Sequence, residues 1–322
     1  MSRSTWQRHI SGDSLTGLWV YVIKRLILAV PTIIGAATLI FFLVRVLPGD
    51  PVHLLAGEQT SPEVIARLRA EFGLDKPIYE QYLLYLRSVF MLDFGISYRT
   101  YTPVIVEIMS RFPNTLILTA SSMAIAIAIG LSLGVLASLR VGGIVDRAIL
   151  VFTSIYVSMP VFWLGLILIY IFSINLRILP AGGIGSPAHL VLPSLALSHT
   201  PLSYIARITR SSMIEAFSQD HFRFAIARGI PRRNAILNHA LRNSMINIVT
   251  VIGYFTGVLL GGAVVTETVF AWPGVGRLLI ESIAARDYIM VQGIVIFITI
   301  VFVLVNLVVD IIYRLIDPRV RL

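Results

Sequence analysis

The chain has 322 residues, 57% of them apolar and only 13% charged, with 26 Lys and Arg against 17 Asp and Glu, six His and no Cys. A mean hydropathy of +0.85 sets it far outside the soluble range of about 45–50% apolar and about 25% charged residues, so the solvent is a bilayer, and the missing cysteines exclude disulfides, thiolate metal sites and cysteine nucleophiles. The net charge of +9 does not imply nucleic acid, because the basic residues follow membrane sidedness and form no stripe interleaved with aromatics.

Residues 1–22 read as a cytoplasmic tail, and residues 23–110 as a first span followed by an external helical segment. A spanning helix needs roughly 20 mostly apolar residues. Six stretches meet that need: Ile23 to Leu47, Thr115 to Leu139, Ala148 to Ile174, Leu190 to Ile208, Met245 to Val269 and Val291 to Ile312. The first is longer than a signal-peptide core and no small-residue cleavage site follows it, so it is expected to be retained. In the external segment, Ser61, Pro62 and Glu63 predict a helix start, with Ile65, Leu68 and Phe72 as its apolar face and Gly73-Leu74 as its stop. A second apolar run, Tyr79 to Phe90, ends at Asp93 and Gly95. These two helices are expected to cap the outer mouth, to meet a partner, or to cover the spans.

The fourth span carries Pro193, Ser194, Ser198, His199, Thr200, Pro201 and Ser203. It would insert poorly alone and belongs inside a bundle or beside water. Ser198, His199, Ser203 and, in the last span, Asn306 are the candidate pore-lining residues. Gly130 with Gly134, and Gly253, Gly257 and Gly261, have the spacing that lets helices approach closely in lipid. Arg45, Glu267 and Asp310 fall near span ends, where a side chain can reach the interface.

Lys and Arg decide orientation. Arg3, Arg8, Lys24, Arg25, Arg140, Arg147, Arg207, Arg210, Arg223, Arg228, Arg232, Arg233, Arg242, Arg314, Arg319 and Arg321 share one side, which places both termini in the cytoplasm. The external loop Glu267 to Arg277 contains Phe270 and the turn Trp272-Pro273-Gly274. It reads as an outer gate or as a docking surface for a receptor, with an interfacial Trp anchor as the alternative.

Catalytic motifs are missing. The two lysines, Lys24 and Lys76, sit in no Gly-Lys-Ser/Thr context, the histidines show no His-Glu-x-x-His spacing, and there is no Gly-x-Ser-x-Gly elbow. No cofactor or metal is expected on this chain.

Within residues 207–242 a cytosolic island, Glu215 to Pro231, predicts a helix of about two turns ended by Gly229 and Pro231. Two turns are unstable alone in water, and the face is too short and too poor in Lys and Arg for a membrane-surface helix, so a protein groove is its expected partner.

This island resembles the cytoplasmic EAA-type loop of ABC importer permeases. Further strings fit in chain order: Leu47-Pro48-Gly49-Asp50-Pro51, Phe72-Gly73-Leu74-Asp75-Lys76-Pro77, Asp93-Phe94-Gly95-Ile96-Ser97, His239-Ala240-Leu241-Arg242-Asn243, Gly261 to Glu267, Phe270 to Gly276 and Asp317-Pro318-Arg319. Together they are similar to the first permease subunit of dipeptide, oligopeptide and nickel importers. The resemblance implies an all-α polytopic membrane protein of type I ABC importer permease architecture, with residues 111–322 as the permease core. It implies a non-catalytic subunit in the cell membrane that pairs with a homologous second permease, two cytosolic ATPases that carry ATP and Mg, and an external substrate-binding protein. Glu215, Asp220, His221, Phe222, Ala225, Ala227, Arg228 and Gly229 are then the ATPase-coupling residues. Di- or oligopeptide is the expected solute, with nickel, glutathione, opines or sugars as alternatives. A secondary transporter or channel would need membrane-centred charge that the spans scarcely offer, and a scaffold that transports nothing is the third class.

Overall fold

A computed structural model describes residues 6–46, 61–71 and 75–316. The strings Leu47-Pro48-Gly49-Asp50-Pro51 and Asp317-Pro318-Arg319 and the Phe72-Gly73-Leu74 stop lie outside the described residues. Within them the architecture is all-α, and β pairing is confined to one isolated bridge between Ile96 and Pro103. The chain divides into two compact units, residues 1–110 with 279–311, and residues 111–278 with 312–322.

In the first unit, α1 runs from Trp6 to Val46, so the expected tail is largely continuous with the span, whose apolar part is Tyr21–Val46. α2 (Pro62–Glu71) begins at the proline. α3 (Ile78–Phe90) lays Val89, Tyr85 and Leu86 against Ala37, Ile40 and Val44 of α1 and Tyr288, Val291 and Ile296 of α13 (Tyr288–Ile316). α3 is thus packing cover on the spans. Asp310 is not a free end-of-span charge: Arg25 Nη2 lies 2.9 Å from its Oδ2. Asp287 starts α13 by accepting from the Met290 N–H at 3.2 Å, and Ser97 Oγ donates to its other oxygen.

α4 (Val104–Ser138) starts about three turns before the expected span and passes through Pro113 unbroken. In the second unit it packs on α7 (Ala188–Ser218). A Cβ on Gly130 would lie 2.9 Å from the Leu202 carbonyl oxygen, and one on Gly134 would lie 2.5 Å from that of Ala206. The small-residue spacing therefore marks a real close approach here, whereas Gly261 faces open space.

The third expected span is two helices, α5 (Ile144–Ser158) and α6 (Val161–Leu168), the latter prolonged by a π-helical stretch, Ile169–Asn175. They meet at 104°. Pro160 forces Met159 out of the helical region, to ψ 128, and removes the N–H that a continuous helix would use.

α8 (Asp220–Ala227) follows α7, and the chain returns through α9 (Arg232–Ala235), a π-helical turn Ile236–Leu241 and α10 (Arg242–Gly262). The expected fifth span stops there; α11 (Val264–Val269) and α12 (Val275–Ala284) are separate short helices. Among the described residues four helices are long and apolar enough to cross a membrane, and five if the bent pair is one span. α7 fails on composition, yet it is the most buried helix of its unit. Its serines and prolines are tolerated because α5, α6 and α10 pack around it, and α4 closes on it at Gly130 and Gly134.

Candidate functional site

The residues singled out in the sequence separate into an exposed helix, a buried loop and a buried helix interior.

On α8, the N–H of Gly229 reaches the Ile226 carbonyl at 2.9 Å and that of Ile230 reaches Ala225 at 3.2 Å, while Gly229 adopts φ +83°. This pair of bonds around a left-handed glycine satisfies the last carbonyls and stops the helix. The helix stop expected at Gly229 is present. The inner face is held by Ala225, which is buried, and by Phe222, whose ring lies 5.0 Å from that of Phe217. Phe217, Phe222, Ile236 and Leu241 surround Met213, Ala216 and Ala240. Phe222 and Ala225 therefore anchor the helix instead of presenting a contact surface. Ile226 is exposed, and so are Glu215, Asp220, His221, Ala227, Arg228 and Gly229. The residue that sequence reasoning missed is Phe224, 63% exposed, with the Arg228 guanidinium 5.1 Å from its ring centre. An exposed phenylalanine under an arginine is a ready contact for a groove. At about 100° per residue it lies about 200° around the helix from Phe222, so a helical wheel turns it away from the anchored face.

The N-terminal end of α5 is tied to α7 through a charged pair. Arg210 donates from Nε and Nη2 to the two carboxylate oxygens of Asp146 at 2.5 and 2.7 Å, and the Gly142 N–H adds a third bond at 2.7 Å. Such a two-pronged pair fixes orientation as well as distance.

The loop after α11 differs from expectation. Trp272 is 3% exposed and donates its indole N–H to the Asn114 carbonyl at 2.9 Å, while Asn114 Nδ2 donates to the Pro273 carbonyl at 2.9 Å. Phe270 is buried beside Leu192 and Ala196. Glu267 is fully buried; it accepts from Thr115 Oγ1 at 2.7 Å and from the Arg277 N–H at 3.0 Å. A Cβ on Gly274 would fall 2.2 Å from the Glu267 carboxylate. These contacts correct three readings. Glu267 does not reach the interface, Trp272 is no headgroup anchor, and neither Glu267, Phe270 nor Trp272 offers a surface to a receptor. Burial pushes the Glu267 carboxyl above its usual range, against the hydrogen bonds from Thr115, Arg277 and Gly276 that favour the charged form.

The pore candidates are also turned inward. Ser198 Oγ donates to the Leu195 carbonyl at 2.9 Å and Ser203 Oγ to that of His199 at 2.9 Å, both buried. His199 has Nδ1 2.8 Å from the Ala196 carbonyl oxygen and its ring edge-on to Tyr156. Asn306 belongs to the first unit and donates to the Phe302 carbonyl one turn back. In this conformation Ser198, His199 and Ser203 are packing residues. What α7 does leave uncovered is a stripe one turn apart, Thr200, Tyr204, Arg207 and Ser211, with Tyr204 half exposed and 5.2 Å from Phe255 of α10. Among the described residues no group of three His, Asp or Glu side chains stands where it could hold a metal ion.

The comparisons agree with this architecture. The fold is similar to that of a solved structure titled as inward facing conformations of the MetNI methionine ABC transporter, with a TM-score of 0.56 and 20% identity over 66% of this chain and 97% of that one. Relatives cover nearly the whole sequence. The dipeptide transport system permease protein DppB of Escherichia coli is 41% identical over 94% of this chain and 98% of its own length. The glutathione transport system permease protein GsiC of Salmonella choleraesuis is 43% identical with the same coverage. Residues 127–322 match the model described as binding-protein-dependent transport system inner membrane component, and residues 18–119 match its N-terminal companion. The chain therefore belongs to the binding-protein-dependent transport system inner membrane component family, and it is the multi-pass permease subunit of an ABC importer.

Proposed function

We propose that this permease imports di- or oligopeptides, with a homologous second permease, two cytosolic ATPases that bind and hydrolyse ATP with Mg, and an external substrate-binding protein. Both relatives are named for solutes built from amino acids joined by amide bonds, a dipeptide and glutathione, and this supports the peptide reading over nickel, opines or sugars. The observation that carries the mechanism is α8: a two-turn helix with a closed end, one face packed on its own subunit and the other free. When the ATPases close, their grooves draw together. A rigid short helix seated by Phe224 and Arg228 passes that displacement through Phe222 and Ala225 to α7, where a loose loop would absorb it. The Asp146–Arg210 pair keeps the receiving end of α7 in register with α5.

In this reading α8 and both termini face the cytoplasm, residues 111–322 form the permease core, and the Thr200, Tyr204, Arg207 and Ser211 stripe of α7 lines the pathway. A polar stripe on the one helix too polar to span alone is where solute and water are cheapest to accommodate. The Trp272 loop is the rigid outer rim of the core.

Reconstitution into proteoliposomes with the second permease, the ATPases and the binding protein tests it. Peptide uptake is expected to need ATP and the binding protein, and Phe224→Asp is expected to abolish uptake while leaving the permease folded. Uptake that proceeds without ATP, or labelling that places Arg223 on the outer surface, refutes the reading.

A further inference from the structure

The first unit contains a half-open cavity of about 270 Å³ that no step of transport uses. Its walls are the end of α1, one face of α3, the turn at Asp93 to Tyr98 and the first turns of α13. Arg45 is the cation in it. The guanidinium lies 3.4 Å from the ring centre of Phe41, donates to the Phe41 carbonyl at 3.2 Å and to Gln81 Oε1 at 2.8 Å, and has no carboxylate partner among the described residues. Two phenols, Tyr85 and Tyr98, line the same space, and the Arg45 charge acts on both hydroxyls. The Tyr85 hydroxyl is buried without a hydrogen-bond partner among the described residues. A buried O–H left unpaired carries the full cost of its lost hydration.

Both hydroxyls stay protonated at neutral pH. Burial, and then the nearby Asp287, push Tyr98 up to about 12, and burial lifts Tyr85 well above its usual range despite the opposing Arg45 charge. The cavity thus converges a fixed positive charge and hydroxyl donors on one space, the donor set of an oxyanion site. The carboxylate on its lining, Asp93, is exposed at the rim and accepts from the Gly95 N–H at 3.1 Å.

Height in the membrane and the apolar surround select the oxyanion. Arg45 is the penultimate residue of the apolar span Tyr21–Val46, so it sits at headgroup level on the side of α2 and α3. Next to it α3 exposes Tyr79, Leu83, Leu84 and Phe90, and α1 exposes Leu39 and Leu43. An amphipathic helix with uncovered leucines and aromatics beside a span is the surface acyl chains cover, and Leu84 belongs both to that surface and to the cavity wall. A phosphate found at this depth is tethered to such chains.

We propose that this cavity seats the phosphate of a phospholipid headgroup from the leaflet on the α3 side, with Arg45 and the Tyr85 hydroxyl as its donors. Bound there, the lipid joins α1, α3 and α13 through a group that none of them supplies.

Native mass spectrometry of the full-length chain, stripped by detergent and then titrated with palmitoyl-oleoyl phosphatidylethanolamine or phosphatidylglycerol, tests the assignment. The wild type is expected to retain one tightly held lipid of either kind, since both carry the phosphate. Tyr85→Phe removes only an oxygen that has no internal partner, so the fold is kept, and lipid affinity is expected to fall about tenfold. Arg45→Gln is expected to lose the tight site altogether. Equal retention by all three proteins overturns the proposal. So does displacement of the lipid by equimolar glycerol phosphate, which would mark a site for a free phosphate compound, and so does loss of a co-purifying protein from Arg45→Gln with lipid retention unchanged.

Discussion

Two segments of the second unit look alike in sequence, since both are short, carry two aromatic residues and close on a single glycine, yet α8 and the Glu267–Gly274 loop behave oppositely. α8 keeps most of its residues exposed and is shaped by its own backbone bonds. The loop is clamped by Asn114 and Thr115 of α4 and shows almost nothing outward. A glycine at a helix end acts through φ, a local property. The glycine at 274 acts through the space left for a carboxylate, which no local reading reveals.

Substitutions can break this comparison. The largest effect is expected in the clamp: Trp272→Ala leaves a large cavity and should cost about 3–5 kcal/mol, read as a fall in thermal stability of the purified protein. A loss under about 1 kcal/mol would show that the ring does not pack as described. At the other segment, a Cβ on Gly229 meets nothing within 4 Å, so the cost of substitution is conformational alone. Gly229→Val should cost about 1–2 kcal/mol and Gly229→Asn clearly less, because asparagine tolerates left-handed backbone. Equal losses for the two would point to a steric cause instead.

A third test uses pH. Glu267 lies beyond the span 232–261 and burial raises its proton affinity, so the folded state binds the proton more tightly than the unfolded one. Stability is then expected to fall as pH rises from the ordinary 4.5 through the higher folded-state value. Glu267→Gln should flatten that dependence in thermal melts across the same range; an unchanged slope would assign it to another group. The smallest stability effect belongs to Phe224→Ala, within about 0.5 kcal/mol for an exposed site, together with a marked loss of peptide-stimulated ATPase activity in the assembled importer. Phe222→Ala should do the reverse, lowering stability first. If the two variants proved indistinguishable in both assays, the inner and outer faces of α8 would have been assigned wrongly.

Sequence reasoning succeeded where structure is coded locally. Pro62 starts α2, Gly229 ends α8, and the Gly130–Gly134 pair marks a close helix approach. It erred where partners come from elsewhere in the chain. Pro160 lies in an unbroken apolar run, and composition outvoted the backbone chemistry of a residue before proline; Trp272 at a span end resembles a headgroup anchor until Asn114 is seen to hold it. Serines in α7 look like pore lining because polarity suggests water, but their hydroxyls are satisfied by carbonyls of their own helix.

By itself the sequence determined the solvent, the helical class, the family strings and the stop of α8, because hydropathy, φ and missing N–H groups are properties of single residues and their neighbours. Only the tertiary structure decided which side of α8 is free, which charge is buried and which face of α7 stays open. Those depend on residues such as Thr115 and Glu267, separated by 152 positions, meeting at hydrogen-bond distance.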